Sequence, residues 1–80
     1  MLRFRPVDVP NGNPEYMAYH FKRADECFFV YKHGEVEGYS LGSNINYYLT
    51  EEEIVACKIW ANTKFADMPV YEFLNSLFDN

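Results

Sequence analysis

Eighty residues with 49% apolar and 24% charged side chains suffice for one small domain, exclude a second, and argue against wholesale disorder. The net charge is −5, divided unevenly: residues 1–33 balance at +1 and residues 34–80 at −6. Such a field repels phosphate and argues against general nucleic-acid binding. No apolar run is long enough to span a bilayer, and the opening MLRFRPVDVP has no apolar core of a secretory signal. Cys27 and Cys57 are too few for a disulfide framework, so a reducing, cytoplasmic setting is expected, with both thiols acting as small hydrophobes.

In chain order, Leu2 and Phe4 alternate with Arg3 and Arg5, a short half-buried strand that Pro6 confines to a sheet edge. Pro10-Asn11-Gly12-Asn13-Pro14 is a turn. Residues 15–26 fit two patterns. Tyr16, Met17, His20, Phe21 and Ala24 would share a helix face, whereas β-preferring Tyr16, Tyr19, His20 and Phe21 favour a strand over 16–22. Phe28 to Lys32 and Glu35 to Leu41 flank His33-Gly34, a two-residue hairpin turn that pairs Lys32 with Glu35, Tyr31 with Val36 and Phe29 with Gly38. Ile45 to Leu49 reads as a further short strand.

Thr50-Glu51-Glu52-Glu53 is the sharpest local signal, a reciprocal capping box with Leu49 and Ile54 at the staple positions. It predicts a helix from Thr50 to about Asn62, polar only along Glu51, Lys58 and Asn62 and otherwise deeply packed, with Trp60 in the core. A last helix follows Asp67-Met68-Pro69, with the stripe Val70, Phe73, Leu74 and Leu77 facing inward. The expected architecture is α+β in a single domain over 1–80: a small antiparallel sheet of three to five strands followed by two C-terminal helices packed on one face.

Catalytic and metal motifs are sparse. His20, Cys27, His33 and Cys57 are separated by 7, 6 and 24 residues, which matches no close-paired zinc pattern. A Cys27–His20 pair has no glycine-rich elbow beside it, and there is no P-loop, dinucleotide fingerprint or HExxH. Neither an enzyme nor a cofactor is expected.

Aromatic residues, at 19%, are the unusual feature. If 16–22 pairs with 27–32 across Arg23-Ala24-Asp25-Glu26, then Phe21 faces Phe28, His20 faces Phe29 and Tyr19 faces Val30. Alternation then collects Met17, Tyr19, Phe21, Phe28, Val30, Tyr39 and Leu41 beneath the helices. The other face carries Tyr16, Ala18, His20, Lys22, Phe29, Tyr31 and Val36. Interface cores favour such aromatics, so the expected function is a protein–protein interaction module, an inhibitor or adaptor. Tyr16, His20, Phe29 and Tyr31 would contact a larger protein, or a second copy of the chain. Small acidic proteins without catalytic motifs are of the type that phages and mobile elements make against host machinery, an analogy of type only. Two alternatives remain. Glu35, Glu37, Glu51 and Glu52 could mimic phosphates and sequester a basic protein; or the aromatic sheet could read single-stranded RNA, although no RNP-type motif is present.

Overall fold

The capping box forms as its chemistry requires. In the computed structural model of the chain, which describes residues 3–7, 19–24, 26–38 and 49–78, helix α1 spans Glu51–Thr63. The Thr50 hydroxyl accepts from the Glu53 amide at 3.1 Å, and the Glu53 carboxylate accepts from the Thr50 amide at 2.9 Å. Leu49 is buried before the cap and lies outside any strand; the rest of the strand expected over 45–49 falls outside the described residues. Lys64 ends the helix, donating its amide to the Trp60 carbonyl at 2.8 Å. Helix α2, Val70–Phe78, begins one residue after Pro69, whose carbonyl accepts from the amides of Glu72 and Phe73.

Among the described residues the helices follow a four-stranded antiparallel sheet, ordered β1-β2-β3-β4: Arg5–Pro6, Tyr19–Arg23, Glu26–Val30 and Val36–Gly38. This is the α+β arrangement. The segment with two readings forms a strand from Tyr19 onward, and Pro6 sits in the edge strand, where its missing amide costs no ladder bond. Strands β2 and β3 pair in the expected register, Phe21 with Phe28, His20 with Phe29 and Tyr19 with Val30. The ladder runs one pair further than expected, to Arg23 opposite Glu26, so the connection is shorter. Ala24 turns the chain with φ +55, a conformation that disfavours a side chain.

The second hairpin corrects the expected register. Tyr31 donates its amide to the Glu35 carbonyl at 3.0 Å, and Gly34 donates to the Tyr31 carbonyl at 2.8 Å. The loop therefore has three residues, Lys32-His33-Gly34. A two-residue type I′ turn needs positive φ at both His33 and Gly34, whereas the three-residue loop needs it only at Gly34, where φ is +88. The pairs shift by one: Val30 opposite Val36, Phe29 opposite Glu37, Phe28 opposite Gly38. Val36 consequently joins the helix side and Glu37 takes its place on the outer face.

Between sheet and helices lie Phe4, Phe21, Phe28, Val30, Leu49, Trp60, Val70 and Leu74, all fully buried or nearly so. Large rings fill this small core. Phe21 stacks on Phe28 at 5.1 Å and meets the edge of Phe4 at 5.7 Å, while Tyr19, Trp60 and Phe65 form a second cluster with centroids 5.0–5.2 Å apart. The Trp60 indole donates to the Met68 carbonyl at 2.7 Å, satisfying its one buried donor. Much of the aromatic excess is thus consumed inside.

Two features of α1 and α2 depart from the sequence reading. Val55 and Ile59 are each 50% exposed and Leu77 is 49% exposed, so neither helix is packed on every apolar side. Glu53, read only as a cap, is just 2% exposed.

Candidate functional site

Strand alternation sends Arg5, His20, Lys22, Cys27, Phe29 and Glu37 to the sheet face turned away from the helices. At its centre the His20 and Phe29 rings meet edge to face, with centroids 4.5 Å apart. Tyr31 continues the aromatic line at the start of the hairpin loop. All three are half-buried. Desolvation lowers the His20 pKa below its ordinary value, and the buried Nε2 of its ring has no hydrogen-bond partner among the described residues. Tyr16, the fourth expected contact, lies outside the described residues.

Charge is graded across this face. Arg5 stands directly opposite Lys22 on β1 and β2, a like-charge pairing that costs stability, while Glu37 lies opposite Phe29 on β4. An aromatic centre therefore separates a basic side from an acidic one.

The four glutamates of the acidic alternative are divided. Glu35 lines a cleft between the β3–β4 loop and α1, together with His33, Gly34, Val36, Ile54 and Lys58. Glu51 and Glu52 border a different groove, between α1 and α2. The possible metal ligands are likewise separated, with His20 and Cys27 on the outer face, His33 in the loop and Cys57 in the core. No group of three metal-binding side chains occurs among the described residues. Cys27 is diagonal to His20 across the ladder, on the same outer face. Burial, reinforced by the Glu53 charge, pushes the Cys57 thiol up to about 12, which leaves it inert.

Glu53 is the one buried carboxylate among the described residues, and both of its oxygens accept hydrogen bonds. Arg23 donates to Oε1 at 2.6 Å and Arg3 to Oε2 at 3.3 Å, while Oε1 also accepts the Thr50 amide. Arg3 reaches on to the Phe78 carbonyl at 3.4 Å. This cluster ties the N-terminal segment, β2 and both helices together, and its role is structural.

The exposed trio Val55, Ile59 and Leu77 was missed as a surface because each belongs to an apolar stripe in the sequence. The signal was present. At about 100° per residue, Val55 falls between Glu51 and Glu52 on the helical wheel, opposite Trp60.

No helix of the described residues is long and apolar enough to cross a membrane. Comparison with known proteins found no matching family model, no matching curated protein and no matching solved structure.

Proposed function

We propose that this protein is an interaction module, an inhibitor or adaptor, that binds a larger protein through the outer face of its sheet. The observation that carries the reading is the aromatic line His20, Phe29 and Tyr31, half-buried on the side away from both helices. Rigid rings supply contact area at small entropic cost, and the flanking Arg5, Lys22 and Glu37 supply orientation through complementary charge. We assign no catalytic step to it. The two free cysteines support a reducing, cytoplasmic setting.

A second reading has its own support. Arg5 and Lys22 beside the His20–Phe29 pair resemble the basic edge and stacking platform of a single-stranded RNA reader. Affinity capture from the native cell, with the wild-type chain and Phe29→Ser in parallel, separates the two. The module reading expects one stoichiometric protein that Phe29→Ser fails to retain. Recovery of nuclease-sensitive RNA in its place would transfer the face to the second reading.

A further inference from the structure

We propose that the groove between α1 and α2 is a second docking surface, and that its occupant is a basic amphipathic helix. The groove is open and about 340 Å³ in volume. Val55 and Ile59, one helical turn apart, form one wall and Leu77 the other, over a floor of Ala56 and Phe78. These are the exposed large hydrophobic side chains of the described residues, and they lie together. An α-helix with apolar side chains at i and i+4 matches the one-turn spacing of Val55 and Ile59.

Charge selects among occupants. Glu51 and Glu52 border one end of the groove, both exposed, and no cation is among its described lining residues. Among the described residues, Arg3 and Arg23 are paired with Glu53, and Arg3 also donates to the carbonyl of Phe78 beside the groove. The acidic end therefore faces outward and asks for lysine or arginine. A second copy of the chain fits poorly, since it carries a charge of −5 and brings the same two glutamates with no lining base. Nucleic acid is repelled for the same reason.

The test is an amide-shift titration of the labelled chain with a synthetic amphipathic helix of leucine and lysine, and with its leucine–glutamate counterpart. The leucine–lysine peptide should perturb Val55, Ile59 and Leu77. Its affinity should fall at least about tenfold in Ile59→Ser, and separately in the double variant Glu51→Gln/Glu52→Gln. Retained blue-shifted Trp60 fluorescence establishes that both variants are folded. Equal binding of the leucine–glutamate peptide, or indifference to Ile59→Ser, would overturn the proposal. So would a concentration-dependent dimer abolished by Ile59→Ser, which would assign the groove to a second copy.

Discussion

Glu53 does three jobs with one carboxylate: it closes the cap on Thr50, neutralises Arg3 and Arg23, and anchors the start of α1 in the core. A buried charge is tolerable only when paired and hydrogen-bonded, so removing it strands more than one partner. Thr50→Ala should cost about 1 kcal/mol, the usual value of a lost cap. Glu53→Ala should cost about 3 kcal/mol, discounted from a fully buried pair because Arg3 and Arg23 remain partly exposed. Urea unfolding followed by Trp60 fluorescence measures both, and equal losses would reduce Glu53 to a cap alone. His20 gives a separate signal. Its pKa is lowered on folding, so the unfolded chain binds protons more readily in the window below about 6.5. Its contribution is present above that pH and is lost as pH falls toward the folded value. His20→Gln should flatten this part of the pH–stability curve; an unchanged slope would place the titration elsewhere.

At the scale of elements, hairpin geometry decides which side chains reach the outer face. Gly34 is needed twice, for its φ of +88 and because a Cβ there would lie 3.2 Å from the Cα of Lys58 on α1. Gly34→Ala should therefore cost about 1–3 kcal/mol. Ala24→Gly should act in the opposite direction, since the strain of a left-handed alanine exceeds the extra freedom glycine gains when unfolded. A gain of about 0.5–1 kcal/mol is expected, measured by the same urea series. Asn75 shows how the edge strand is guarded: its side-chain amide accepts from the Phe4 amide at 3.1 Å and donates to the Phe4 carbonyl at 2.9 Å, standing in for a neighbouring strand. Local chemistry made α1 legible in advance, because a capping box points one way; the β2–β3 register followed once β-preferring side chains decided residues 16–22 for a strand. The β3–β4 register was misread: the sequence reading makes His33-Gly34 a two-residue turn, whereas a single positive-φ residue suits the three-residue loop. The Glu53 cluster was not legible, because its arginines come from 30 and 50 residues away in sequence.

For the whole molecule, the rings divide between inside and outside. Phe4, Phe21, Phe28 and Trp60 close the core, and His20, Phe29 and Tyr31 remain on the outer sheet face. Composition alone could not make that division, since it depends on which helix side meets the sheet. The result is a small scaffold with two differently shaped surfaces: a charge-graded aromatic sheet on one side and an acid-edged apolar groove on the other. Amide-shift mapping of the labelled chain with its captured protein partner tests the central claim most directly. The account predicts the largest perturbations at His20, Phe29 and Tyr31, extending to Lys22 and Glu37. Perturbation confined to α1 and α2, with the outer sheet face silent, would contradict it.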